Sequence, residues 1–248
     1  MKVAVVTGGS SGIGAATVQE FSRRGWRVAI VFSKDSSKAE QVASGLKDAI
    51  LVKADVAQDA DCRRTAREVL GRWGRIDVLV NNAGITKHVK HTDLEGLSAD
   101  DMLNIFRVNF VGPFQMVRAC AAALKESRGA VVNVSSLASR LGTGSSIVYA
   151  ASKAALNTMT MSLARALGPE VRVNAVCPGF VMTPWHLSAH GAQGAEEQRQ
   201  RYAEKAPLGA APDPEDIAAA ILWFAEGARR TTGEIFYVDG GMHVASPR

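Results

Sequence analysis

Cysteine is scarce in this sequence. Cys62, Cys120 and Cys177 are the three present in 248 residues. Their odd number and wide spacing argue against a disulfide framework or a clustered zinc site, and a reducing cytoplasm is the expected compartment. Long apolar runs are missing as well: none approaches the ~20 residues that span a bilayer. The chain passes from Met1 straight into a strand-like segment, Lys2–Thr7, without the charged and apolar regions of a signal peptide. No membrane association is expected. Aromatic residues make up only 6%, and neither an aromatic-rich RNA-binding motif nor zinc-finger spacing occurs. The net charge is +5, yet Lys and Arg are scattered and form no long basic block. Nucleic acid is therefore not an expected partner. An anionic small molecule accounts for the excess at least as well.

Apolar material is plentiful, at 47% hydrophobic residues against 21% charged. Short β-branched runs recur along the chain: Val3–Val6, Val28–Phe32, Ile50–Val52, Val78–Val80, Val131–Val134, Val171–Val176 and Ile235–Val238. Continuous runs of this kind suit strands covered on both faces, as in a parallel sheet. Helical periodicity fills the intervals, first from about Ile13 to Arg24, and the intervals are long enough for crossover helices. The expected fold class is α/β, one doubly wound domain over residues 1–248 with a mostly parallel seven-stranded sheet. Two segments interrupt the rhythm. Residues 85–97 form a polar loop, and residues 179–212 carry seven Gly and Pro residues around a short charged helical stretch, Glu196–Lys205. Both follow the carboxyl ends of strands, where ligands bind in open α/β sheets. The second reads as a substrate lid or, alternatively, as an insertion packed for stability.

The first strand ends in Thr7-Gly8-Gly9-Ser10-Ser11-Gly12-Ile13-Gly14. Glycines there allow a tight turn, close approach of a pyrophosphate and packing of helix on sheet. The helix starting near Gly12 offers free N–H groups and a positive dipole end to phosphate. A Gly-rich turn alone is a weak signal, but its place after the first strand of a βαβ unit strengthens it.

That octapeptide resembles the cofactor-binding motif of the short-chain dehydrogenase/reductase family, and the likeness extends over nearly the whole chain. Asn81-Asn82-Ala83-Gly84 follows the fourth strand as the family's motif does. Asp55-Val56 resembles the pair that contacts adenine, and Pro178-Gly179 with Val181 and Thr183 resembles the segment holding the nicotinamide carboxamide. Asp239-Gly240-Gly241 resembles the family's closing motif. The resemblance implies a Rossmann-type fold, a nicotinamide cofactor, a small carbonyl or alcohol substrate (a 3-oxoacyl thioester among the candidates, with a sugar, polyol or steroid-type alcohol as the alternative) and a homotetramer or homodimer. Phe32 stands where an NAD-preferring site places an acid on the ribose hydroxyls. Ser33 and Lys34 follow it and suit a 2′-phosphate, so NADP(H) is favoured over NAD(H). Asp35 and the adjoining serines read as caps of the next helix.

Tyr149 and Lys153 stand four apart in a helix-like segment, Ile147–Leu167, and so share a face. A nearby ammonium is expected to lower the phenol's pKa from ~10 and fit it for acid/base work on a carbonyl or alcohol. The resemblance adds Ser136, thirteen residues before Tyr149, in preference to its neighbour Ser135, as the hydroxyl that orients the substrate oxygen. It also adds Asn109, which resembles the Asn that organises a water-linked proton path to the lysine; read by itself, that residue is as well explained as a buried structural or helix-bending Asn. His88 and His91 have no Cys or carboxylate cluster to complete a metal site. They are expected to line the pocket mouth or lie in solvent. Trp185 and His186 are candidates either for touching substrate or for packing the lid.

Overall fold

Each apolar run becomes a strand, and in all but the last the alternate side chains reach two separate cores. The computed structural model describes residues 1–245. The strands are β1 (Val3–Thr7), β2 (Arg27–Phe32), β3 (Ala49–Lys53), β4 (Val78–Asn81), β5 (Ala130–Val134), β6 (Arg172–Pro178) and β7 (Ile235–Val238). They form one sheet in the order β3-β2-β1-β4-β5-β6-β7, with every pairing parallel. The helices are α1 (Gly12–Arg23), α2 (Ser36–Ala43), α3 (Asp59–Trp73), α4 (Ala99–Phe106), α5 (Gly112–Ser127), α6 (Ala138–Leu141), α7 (Ile147–Leu167), α8 (Pro184–Lys205) and α9 (Pro214–Leu222).

Val3 and Val5 of β1 pack with Val69 of α3, Met116 and Leu124 of α5 and Leu156 of α7. Ala4 and Val6 turn the other way, toward Val18 and Phe21 of α1 and Ile217 and Ile221 of α9. The period-two alternation of a strand therefore serves both faces, which explains why the runs are continuously apolar. Full burial of a side chain such as Phe21 or Leu156 stabilises the fold by about 1.5–3 kcal/mol. The chain is a doubly wound α/β domain, as its sequence pattern predicts.

The strand order reverses between β1 and β4, so the loops leaving their carboxyl ends diverge and open a crevice. Residues 82–98, which include the expected polar loop, hold neither helix nor strand. The segment 179–212 departs from expectation. Its helix starts at Pro184, well before Glu196, and runs to Lys205. Pro184 fits the first turn because its missing N–H would have no intrahelical partner there. Gly191 then breaks the helix at φ 67°, ψ 174°, a left-handed backbone that glycine adopts without Cβ strain. Cys62, Cys120 and Cys177 are buried free thiols. Among the described residues no helix is long and apolar enough to cross a membrane.

Candidate active site at the carboxyl edge of the sheet

The turn after β1 is built by close backbone approach. Gly14 packs so tightly that a Cβ there would collide with the Gly8 carbonyl oxygen. Asn82, leaving β4, donates from Nδ2 to the carbonyls of Thr7 at 2.9 Å and Gly8 at 3.1 Å. The Thr7 hydroxyl accepts from the backbone N–H groups of Asn82 and Ala83, both at 3.0 Å. These bonds tie the Gly-rich turn to the Asn-Asn-Ala-Gly segment across the switch point. Ser11 caps α1 without a side-chain hydrogen bond, and the first turn holds no acidic residue. The exposed N–H groups and the positive helix end therefore face the crevice uncompensated.

A cleft of about 470 Å³ lies above this turn. Gly8, Ser11, Gly12 and Ile13 form one wall, Asn82, Ala83 and Gly84 another, and Pro178, Gly179, Val181 and Thr183 a third. Ser136, Tyr149 and Lys153 close it. A second cleft of about 500 Å³ adjoins it and shares Ser136, Tyr149, Gly179, Trp185 and His186. Trp185 sits against the tyrosine, with ring centroids 5.7 Å apart. Trp185 and His186 thus line both clefts, where the sequence leaves them between substrate contact and lid packing.

Helix α7 fixes the tyrosine and lysine. Ser146 caps it, its hydroxyl accepting from the Tyr149 N–H at 3.2 Å. Lys153 is buried, and its Nζ donates to the Val134 carbonyl at 2.8 Å, which ties the helix to the end of β5. The adjacent serines divide their work. Ser135 turns its hydroxyl to the Lys153 carbonyl at 3.1 Å and lines only the first cleft, whereas Ser136 lines both.

Asn109 lines neither cleft. It is fully buried in a π-helical turn, Arg107–Val111, between α4 and α5. Its Oδ1 accepts from the Ile85 N–H at 2.8 Å, and its Nδ2 donates to the Ile85 carbonyl at 3.0 Å and to Ser152 Oγ at 3.0 Å. Ser152 in turn donates to the Tyr149 carbonyl at 2.7 Å. The extra residue of a π-turn, a feature frequent at functional sites, here carries an amide that couples the loop after β4 to α7.

Burial sets the proton affinities and corrects one expectation. The Tyr149 phenol is pushed up to about 12, because loss of solvent disfavours the phenolate more than the Ser136 hydrogen bond favours it. Burial also lowers Lys153 to about 8. The ammonium was expected to depress the phenol's pKa. Its Nζ instead lies 5.8 Å from the centre of the tyrosine ring and is spent on the Val134 carbonyl, so desolvation prevails.

Several predicted positions lie away from the clefts. Ser10 and Gly14 belong to the turn but do not line the first cleft. Ser33 and Lys34 are exposed beyond β2 and do not line the first cleft; Lys38 of α2 does, and the sequence reading passed over it. Its signal was available as the next basic residue one helical turn on. Asp35 caps α2 as expected, accepting from the Ser37 N–H at 3.0 Å. Asp55 accepts from the Ala57 N–H at 3.0 Å, and the Val56 carbonyl accepts from Gln115 Nε2 at 2.8 Å, so this pair organises the loop after β3 outside the lining. His88 lines the second cleft and His91 lines neither. Among the described residues no group of side chains has the makings of a metal site.

A family model described as enoyl-(acyl carrier protein) reductase matches residues 8–243. This chain belongs to the short-chain dehydrogenase/reductase family. The short-chain dehydrogenase/reductase is 42% identical over 244 residues to a Streptomyces violaceoruber protein named for ketoacyl reduction in the granaticin polyketide synthase, covering 98% of this chain and 96% of the relative. It is 33% identical over 249 residues to L-fucose dehydrogenase of Mus musculus, covering 100% of this chain and 90% of that protein. Among solved structures, one from Burkholderia xenovorans assigned to the same family superposes with a TM-score of 0.91 at 39% identity, covering 99% of each chain. The family is one of oxidoreductases that bind a nicotinamide cofactor, and the tight Gly14–Gly8 packing and uncapped α1 terminus of this structure fit a dinucleotide's pyrophosphate.

Proposed function

We propose that this oxidoreductase interconverts a ketone and a secondary alcohol, with Tyr149 moving the proton and NADP(H) used in preference to NAD(H). The observation that carries the reading is the position of Tyr149 at the junction of two clefts, with Ser136 beside it. The first cleft has the glycine turn and helix terminus of a dinucleotide site, and the second is left for substrate. When bound, the cofactor supplies a hydride to the carbonyl carbon or takes one from the alcohol. Tyr149 gives its phenolic proton to the carbonyl oxygen in reduction and takes it back in oxidation. Burial keeps the phenol protonated at neutral pH, which suits the donor role. Ser136 orients the same oxygen. Lys153 would hold the cofactor's sugar and pass protons to Tyr149, and Asn109 keeps α7 in register with the loop carrying Ile85.

Gly8, Ser11, Gly12 and Ile13 would hold the pyrophosphate, and Pro178, Gly179, Val181 and Thr183 the carboxamide. Asn82, Ala83 and Gly84 floor the space between, with Asp55 and Val56 toward adenine. Lys38 offers an ammonium to the first cleft, with the exposed Ser33 and Lys34 nearby but outside its lining, and Phe32 offers no carboxylate to the ribose. This is the support for NADP(H). The likeness to a protein named for ketoacyl reduction favours a 3-oxoacyl ketone. The second reading is oxidation of a sugar, favoured by the likeness to L-fucose dehydrogenase and by the polar side chains of the second cleft. Self-association as a homotetramer or homodimer belongs to the same proposal, supported by solvent-exposed Val111, Phe114, Ile147 and Met161; the buried free thiols suit a reducing cytoplasm.

The test is a panel of ketones, 3-oxoacyl thioesters, polyols and sugars read by nicotinamide absorbance with each cofactor. Tyr149→Phe is expected to abolish turnover and retain NADPH binding. Full activity in that variant overturns the mechanism, and equal or better turnover with NADH overturns the cofactor assignment. No turnover of any substrate by the wild type would point to a cofactor-binding sensor.

A further inference from the structure

The second cleft holds a charge arrangement that proton and hydride transfer do not explain. Its wall brings together three imidazoles from two distant parts of the chain: His88 from the loop after β4, and His186 and His190 from α8. The His88 and His190 rings meet edge to face with centroids 5.3 Å apart, and those of His186 and His190 stack at 6.3 Å. Lys90 lines the same wall. Among the described residues no Asp or Glu lines this cleft, so the wall carries donor groups and no countercharge. Nδ1 of His186 is buried with no hydrogen-bond partner, and an orphaned polar atom of this kind costs free energy until a ligand or water satisfies it. His186 lines both clefts and so stands near the reacting carbon, while His190, His88 and Lys90 continue outward along the second.

We infer that this wall is a carboxylate-recognition site, and that the substrate is a keto acid whose carbonyl meets Ser136 and Tyr149 while its carboxylate lies among His186, His190, His88 and Lys90. The inference rests on the ketone-reductase reading and adds the charge of the substrate. A carboxylate supplies acceptors for imidazole and ammonium donors at once, and charge-assisted bonds are the stronger class. It also relieves the crowding that now holds His186 down at about 4, where burial acts first and the neighbouring His190 and His88 add to it. A neutral ketone or a sugar leaves the Lys90 ammonium without a counterion and offers the rings only neutral partners.

The experiment titrates the protein with keto acids of increasing length, 4-oxopentanoate and 6-oxoheptanoate, each against its own primary amide. Oxidised cofactor is present to prevent turnover, and Trp185 at the cleft makes tryptophan fluorescence the readout. For at least one length the acid is expected to bind about ten-fold more tightly than the amide at low salt, the scale of one charge-assisted bond. The double variant His190→Gln, Lys90→Gln should bring acid and amide to within about three-fold of each other, through weaker acid binding alone. Both side chains are exposed, and circular dichroism verifies the fold. Acid and amide binding alike in the wild type at every length overturns the inference, as does a preference that survives in the double variant. Turnover is measured separately. Ketones reduced without any preference for the acid sink the carboxylate site and leave the reductase reading standing; acid-selective binding with no ketone reduced supports the site and sinks the reductase reading.

Discussion

Replacing Asn109 with alanine tests whether this amide holds α7 in place. The side chain is fully buried and serves three partners: the Ile85 N–H, the Ile85 carbonyl and Ser152 Oγ. Ser152 keeps its bond to the Tyr149 carbonyl after truncation, so two part-buried backbone groups of Ile85 lose the amide that satisfied them. Each such orphan costs about 1–3 kcal/mol, which gives a loss of about 2–6 kcal/mol. A domain of this size shifts in Tm by about 2–4 °C per kcal/mol, so the variant should melt about 4–24 °C lower. Differential scanning calorimetry at fixed protein concentration measures this directly. Ser152→Ala serves as the graded control: it removes one hydroxyl from the same chain of bonds and should cost about 1–2 kcal/mol. The alanine at 109 should also lower kcat more than it raises KM, since the amide touches α7 and the Ile85 loop but neither cleft. A melting temperature within a degree of wild type, with kcat unchanged, would refute the coupling.

Lys38→Ala should raise the KM for NADPH about ten-fold or more and leave that for NADH nearly unchanged, the loss of one charge-assisted contact; steady-state kinetics with both cofactors checks it, and an equal effect on both removes Lys38 from the 2′-phosphate. The phenol's raised pKa fixes the sign of the pH dependence. Oxidation needs the phenolate, which becomes more populated as pH rises toward about 12, so kcat for alcohol oxidation should climb from pH 6 to 9. Reduction needs the protonated phenol and should not rise over that range, while Lys153, lowered to about 8, loses its charge within it; an oxidation rate independent of pH would contradict the assignment.

How far the sequence reaches can be read from Tyr149 and Lys38. The seven strands are local patterns: a β-branched run buried on both faces carries its own signature, and its alternation sends Val3 and Val5 to one core and Ala4 and Val6 to the other. The Gly-rich turn, the tyrosine and lysine on one helix face and the cap on α2 are equally short-range, and the sequence by itself determined them. The tertiary structure decided what meets what. Lys38 reaches the first cleft and Ser33 and Lys34 do not, because α2 turns the chain between them. Asn109 has two readings as a sequence position, and its burial beside Ile85 and Ser152 supplies the structural one: the residue that fills the π-turn tethers α7 to the Ile85 loop. The direction of the Tyr149 shift reverses because desolvation, a property of the packed interior, outweighs the Ser136 hydrogen bond, while the lysine four residues away is turned to the Val134 carbonyl. His88 and His190 lie a hundred residues apart and pack ring against ring. Periodicity and turn chemistry are written along the chain, whereas burial and hydrogen bonds between distant segments exist only once it has folded.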